Sequence, residues 1–348
     1  MRGIAKHCYL TLRGRLLRPL FPEAASEVDL DSIRTVVVLR FDRIGDMVHA
    51  TPLLEALKGE LPAARVTVLA SEQNAPILLG NPHVETVRIM PSRGRGKLLA
   101  ALWDQRFDLL IDPYWEYDLE WARVAGKIGA RYRVGFDVWG RGLFYNVRVP
   151  GPARGLSASE VMLTLCRQGL GRPFRSCEPK VYLQDGEAEA GRKALSEAGV
   201  DSSKGIVLLH PGGHYPAQRW ASEGFAEVAK ALVGTGKWAT AMVGGPGDEP
   251  LLDRAMRHVP TVRVIVNRSL RDLIGLLPHA RLLICNNSGP LHVACALNVP
   301  TLSTLGPTDR ALWAPKGRLH HIIEREPLTA LGAREVIDRA LAVLDHTK

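Results

Sequence analysis

The stretch "VVVLRFDRIGDMVHATPLL" (residues 36–54) begins as a buried strand and ends as a helix. Between them lie Arg40, Asp42, Arg43, Gly45, Asp46 and His49. A carboxylate at the carboxyl end of a strand can serve as a general base. The same carboxylate at the start of a helix can simply cap it. Gly45 supplies the backbone freedom of the turn, and Asp46 falls at or near the helix N-cap, so both readings stand. Arg43 and His49 lie close enough in sequence to contact whatever Asp46 serves.

Three further turns carry residue types suited to anions. "HPGGHYPAQRW" (210–220) runs from a strand through Gly212 and Gly213 to a helix near Ser222. Glycine amides approach a phosphate closely, and a helix N-terminus favours negative charge. Arg219 adds a guanidinium suited to phosphate oxygens. "GGPGDEP" (244–250) places Asp248 and Glu249 where a carboxylate holds ribose hydroxyls or caps the next helix. Its order is not GxGxxG, which argues against hydride transfer. In "NNSGPLHVACALNVPTLSTLGPTD" (286–309), Asn287, Ser288 and Gly289 open a helix, with His292 in its first turn. That arrangement suits a diphosphate, and Gly306-Pro307-Thr308 ends the following strand on the same side.

The elements that must position these turns follow a β-α-β rhythm. Strand-like runs at 35–41, 65–70, 84–90 and 107–113 alternate with helical patterns, "NAPILLG" among them. Short strands and turns fill 131–150, and a helix covers 157–170. Turn formers and charge dominate "GRPFRSCEPKVYLQDGE", which reads as a connection between domains. The rhythm then restarts, with strands running into turns over 205–213, 238–249 and 301–308, and strands at 262–266 and 281–285. The expected architecture is α/β, with two facing, Rossmann-like, doubly wound parallel sheets and a cleft between them. Expected boundaries are 1–30 (extension), 31–175 (first domain), 176–330 (second domain) and 331–348 (terminal helix).

Composition narrows the function. The chain has 348 residues, 45 basic and 36 acidic, hence a net charge of +9. This balance favours anionic partners, yet no zinc finger, RRM signature or long basic run supports nucleic acid. No apolar run approaches the ~18 residues of a spanning helix, and no signal peptide is evident, so a cytoplasmic location is expected. Five scattered cysteines form no CxxC pair, so buried free thiols are expected and neither a disulfide framework nor a metal site. Residues 1–22 hold five basic residues and no acidic one, with Ile4, Cys8, Leu12, Leu16 and Leu20 at four-residue spacing. This segment is either a membrane-surface helix, on the inner face of the cytoplasmic membrane, or a helix packed on its own domain.

Taken together, "LRFDRIGDMVHATPLLEALK", "HPGGHYPAQRW", "VGGPGDE" and "NNSGPLHVACALNVPTLSTLGPT" resemble the heptosyltransferase family, glycosyltransferase family nine, over about residues 33–345. The resemblance implies a GT-B fold and inverting transfer of heptose from an ADP-linked donor to a lipopolysaccharide-core acceptor. It implies no cofactor and no obligatory metal. The nucleotide belongs on the second domain and the anionic glycan or glycolipid acceptor on the first, in a monomer. Carried over residue by residue, Asp46 is the general base and Glu249 the acidic residue near the donor ribose. Ser288, Gly289 and His292 match the diphosphate turn. The sequence departs at Gln218, where the family has Lys, and at Asn287, where it has Asp.

Two other functions share this architecture: a nucleotide-sugar epimerase or phosphorylase, and a catalytically weak membrane-surface scaffold, which the two departures and the basic N-terminus motivate. For the acceptor side, Arg93, Arg95, Lys97, Arg131, Arg133 and Arg141 are either contacts for anionic groups or a solvated face.

Overall fold

The computed structural model describes residues 2–25 and 27–346, with side chains from residue 5 onward. The chain divides into two compact units, Met1–Pro179 and Lys180–Lys348.

In the first unit, strands β1 (Thr35–Arg40), β2 (Arg65–Ala70), β3 (Thr86–Ile89), β4 (Phe107–Asp112), β5 (Ala130–Phe136) and β6 (Val147–Val149) form one sheet. Its order is β3-β2-β1-β4-β5-β6, every neighbouring pair parallel. β1 reads "TVVVLR" with all but its first residue buried, the continuous apolar run expected where helices cover both faces. The helices are α1 (Arg2–Leu17), α2 (Ile44–Glu60), α3 (Gly96–Gln105), α4 (Leu119–Ala125) and α5 (Ala158–Leu170). Asp118 and Ser157 cap α4 and α5 by accepting from the amides of Glu120 and Glu160. A core of Val37, Leu39, Leu69, Leu110, Phe107 and Tyr145 fills one face of the sheet. "NAPILLG" forms only a 3₁₀ turn, Ala75–Leu78, not the helix its apolar content suggested.

The second unit repeats the plan. Its strands are β7 (Gly205–His210), β8 (Trp238–Gly244), β9 (Val264–Val266), β10 (Ala280–Asn286), β11 (Thr301–Leu305) and β12 (His320–Glu324). The order β12-β11-β10-β7-β8-β9 is the same doubly wound order, again all parallel. β12 escaped the sequence reading because its two histidines and flanking charges hide an edge strand. The helices are α6 (Glu187–Glu197), α7 (Ser222–Gly234), α8 (Glu249–His258), α9 (Leu270–Leu276), α10 (Gly289–Ala296), α11 (Arg310–Trp313) and α12 (Ala333–His346). α6 and α9 meet backbone to backbone: a Cβ on Gly191 would fall 2.0 Å from the Gly275 carbonyl oxygen. The terminal helix α12 buries Val336, Ala340, Val343 and Leu344 in the same core as Val207 and Leu282.

In each sheet the winding reverses between two central strands, β1 and β4 in the first unit, β7 and β10 in the second. Ligands of open α/β sheets bind beyond the carboxyl ends of the strands at such a reversal. Three of the four turns singled out from the sequence follow β1, β7 and β10; the 244–250 turn follows β8, next to β7.

Candidate active site

Beyond β1, the chain turns through Phe41–Arg43 into α2. The N-cap residue is Arg43, whose side chain makes no capping bond. Asp46 is the third residue of the helix, not its cap. Its Oδ1 instead lies 2.9 Å from Nη2 of Arg40, the last residue of β1, while Arg40 Nε donates to the Asp46 carbonyl at 3.2 Å. Arg40 is only 2% exposed. Its Nη1 stands 3.1 Å from Asp42 Oδ2, so one buried guanidinium holds two carboxylates. A buried cation needs such pairing, since an unpartnered charge out of water is prohibitive.

The two acids are not equivalent. Asp42 Oδ1 is enclosed with no hydrogen-bond partner among the described residues. Burial pushes the Asp42 carboxyl from 3.8 up to about 7; Arg40 opposes that rise and the nearby Asp46 adds to it. The turn is braced by Asn74, which donates to the Arg40 carbonyl at 3.0 Å, and by Ser71, whose hydroxyl reaches the Asp42 carbonyl at 3.3 Å. His49, one turn along α2, lies 3.1 Å from the Ser159 hydroxyl through Nδ1. The structure thus brings Asp46, Arg40 and Asp42 together; Asp42 stood out in the sequence only as one of the charges of the turn, and Arg40 was missed as a site residue. The signal was present: two charges at the end of an otherwise apolar strand.

Beyond β4, Asp112 pairs with Arg141 at 2.7 Å and accepts from the Tyr145 hydroxyl at 2.5 Å. Arg141 is wholly buried and also donates to the Asp118 carbonyl, so it does not belong to an anion-binding surface. It pins the 113–118 loop against the 137–145 segment. Arg133 is likewise spent on the carbonyls of Phe144 and Ala130, and Arg95 on Glu120. Cys8 is exposed, contrary to the expectation that all thiols are buried.

In the second unit the three anion-suited turns converge. Asn286, buried at the end of β10, joins the 210–220 turn to the 286–309 segment. Its Nδ2 donates to the carbonyls of Pro211 (2.8 Å) and Gly212 (3.1 Å). Its Oδ1 accepts from the Trp220 amide (2.9 Å) and the Thr304 hydroxyl (2.8 Å). Gly212 lies against the 244–250 turn: a Cβ there would be 2.5 Å from Asp248 Oδ1 and 2.6 Å from His210 Cε1. Only glycine fits. A Cβ on Gly213 would stand 3.5 Å from Arg219 Cγ and 3.9 Å from Ser288 Cβ, ordinary contact distances that place 213, 219 and 288 side by side.

Asp248, not Glu249, is the structural acid of its turn. It accepts from the Gly245 amide at 3.0 Å, and its Oδ2 lies 3.5 Å from His210 Nε2. Burial raises the Asp248 carboxyl, but His210, the Gly245 amide and Arg219 together hold it below 3.8. Glu249 opens α8 from an exposed position and accepts from the Gly247 amide at 2.6 Å. Arg219 Nε donates to the Gly213 carbonyl at 2.6 Å. Gln218 reaches the Pro307 carbonyl at 3.4 Å, tying its loop to the turn after β11. Ser288 is the N-cap residue of α10, yet its hydroxyl donates to the Asn286 carbonyl at 3.2 Å instead of capping. The first amides of a helix have no partner within it, and α10 opens with Gly289, next to Gly213. Asn287 Oδ1 is an enclosed acceptor without a hydrogen-bond partner among the described residues. His292 is buried and tilted against Trp313, ring centroids 6.1 Å apart.

Sequence reasoning missed Asn286 and His210, since an Asn or His ending an apolar strand resembles any polar strand end. The four bonds of Asn286 reach residues 18 to 75 positions away.

Residues 95–335 match the model of glycosyltransferase family 9 (heptosyltransferase). The chain belongs to this family. Lipopolysaccharide heptosyltransferase 3 of Escherichia coli is 24% identical to it over 292 residues that span 78% of this chain and 83% of that one. The glycosyltransferase family 9 structure from Veillonella parvula superposes with a TM-score of 0.77 at 21% identity, covering 92% and 99% of the two chains. E. coli ADP-heptose lipopolysaccharide heptosyltransferase II gives 0.77 at 21% identity, covering 90% and 98%. The protein is therefore a glycosyltransferase with the GT-B fold.

Proposed function

We propose that this glycosyltransferase moves a heptosyl group from an ADP-linked donor to a hydroxyl of a lipopolysaccharide-core glycan, with inversion and without an obligatory metal. The observation that carries the reading is Asp46, a carboxylate fixed on Arg40 at the winding reversal of the first unit. The donor class follows the similar proteins, one of which is named for ADP-heptose. In the second unit, the Gly213–Arg219–Ser288 cluster and the start of α10 suit a diphosphate. The enclosed acceptor of Asn287, where the family has Asp, suits a sugar hydroxyl.

The chemistry is one displacement through an oxocarbenium-like transition state. The acceptor oxygen bonds to the anomeric carbon as its proton passes to Asp46. The bond from that carbon to the diphosphate breaks, its electron pair leaving on the nucleotide. Arg219 and the α10 amides stabilise the charge that develops there. Asp46→Ala abolishes transfer while leaving ADP affinity, read by calorimetry, nearly intact. If the variant keeps more than about a tenth of wild-type turnover, Asp46 is not the base. In that event the role passes to Asp42, whose proton affinity near neutrality suits general-base work.

A further inference from the structure

The N-terminal helix packs on the first unit, and it is only half used. α1 packs on the loops that follow β4 and β5. Leu10 is buried against the unit. Arg13 donates through Nε to the Trp139 carbonyl at 3.0 Å and through Nη2 to the Tyr117 carbonyl at 2.5 Å. A Cβ on Gly14 would come within 3.3 Å of the Trp139–Gly140 backbone, and the Leu17 side chain covers Gly140. The Lys6 ammonium sits 3.7 Å from the centre of the Tyr117 ring. These contacts take up one face of the helix. The neighbouring face presents Tyr9, Leu12, Leu16 and, in the turn that follows, Leu20 at 61%, 56%, 68% and 65% exposure. Spaced i, i+3, i+7 and i+11, they form one stripe.

His7, Arg15 and Arg18 are exposed around that stripe, and residues 1–22 hold no acidic side chain. Aliphatic side chains bordered by uncompensated cations match an anionic bilayer surface, with apolar groups among the acyl chains and cations among the headgroups. Two copies pairing through the stripe would instead bring like charges together. No helix among the described residues is long and apolar enough to cross a membrane. We propose that α1 is an interfacial helix that docks this unit on an anionic lipid surface through Tyr9, Leu12, Leu16 and Leu20. Arg13 and the Tyr117–Gly140 contacts hold it on the loops that follow β4 and β5. The loop under α1 is the one pinned by Arg141, and Trp115 within it lies 5.7 Å from the Arg40 guanidinium. A glycan carried on a lipid would therefore meet Asp46 from the membrane side. That last consequence rests on the glycosyltransferase reading; the docking does not.

The test is sedimentation of the full chain with phosphatidylglycerol-containing vesicles, against pure phosphatidylcholine, at low and high salt. Binding is expected to the anionic vesicles alone and to weaken with salt. Leu12→Glu/Leu16→Glu should lower partitioning at least about tenfold, with the melting curve and transfer to a soluble acceptor fragment unchanged, because both positions are exposed. Arg15→Ala/Arg18→Ala should reduce the preference for anionic lipid. Vesicle binding unaffected by the Leu variants, no vesicle binding by the wild type, or a wild-type dimer that the Leu variants convert to monomer would each overturn the proposal. Loss of Asp46-dependent transfer would not, since vesicle binding is read without substrate.

Discussion

Asp42 gives the sharpest quantitative prediction. Its carboxyl, beside Arg40 yet enclosed and without a hydrogen bond on Oδ1, titrates at about 7 instead of 3.8. That displacement corresponds to about 4 kcal/mol of preference for the neutral form in the folded state. The sign follows from linkage. Because the folded value is raised, the stability this group contributes is fully present below about 3.8, and it falls as pH rises until the folded carboxyl has ionised near 7. Over about pH 5.5 to 8.5, one such group costs the first unit about 2 kcal/mol, and Asp42→Asn, which stays neutral and keeps Arg40 paired with Asp46, escapes that cost. Native-state hydrogen exchange of the β1 amides, wild type against Asp42→Asn at matched pH, reads the difference for this unit alone. The variant should gain about 2 kcal/mol on the wild type across that interval. Carbon-13 labelling of the aspartates should show one carboxyl titrating near neutrality, absent in Asp42→Asn. A gap that stays constant with pH, or an Asp42 midpoint below about 5, would refute the argument that burial outweighs Arg40 here.

Asn286→Ala should lower the stability of the second unit by about 3 kcal/mol, because four buried partners lose their bonds. It should also weaken ADP binding at least about tenfold, since the glycine turn loses its anchor to β10; calorimetric melting and ADP titration read the two effects. Asp248→Asn should destabilise the same unit at about pH 6 by about 1 kcal/mol, and the difference should vanish as pH falls through the depressed carboxyl value. Since that value is lowered, the stabilisation exists above about 3.8 and disappears only on protonation; urea unfolding at about pH 6 and pH 3 distinguishes this from a pH-independent packing effect.

Much of the site could be read directly from residue order. Apolar runs of strand length alternating with helical periods dictate a parallel sheet, because each strand must be covered on both faces. Gly212, Gly213, Ser288 and Gly289 were identifiable because a strand turning into a helix beyond a parallel sheet needs small residues and ends on unpaired amides. Asp46 was legible for the same reason. What residue order left open was the partner of each polar group. Asp46 read as a cap or as a base; the fold makes Arg43 the N-cap and pairs Asp46 with Arg40 Nη2 at 2.9 Å. Arg141 read as a surface cation until Asp112 and Tyr145 enclosed it. Asn286 carried no signal, because its partners lie on three other segments of the chain. The leucines of α1 gave a helix by their spacing, but which of them face inward was decided by the Trp139–Gly140 turn, far away in sequence. Local order fixes backbone shape through propensity and periodicity; charge and hydrogen-bond partners are set by contacts between distant segments, and only the folded chain supplies those.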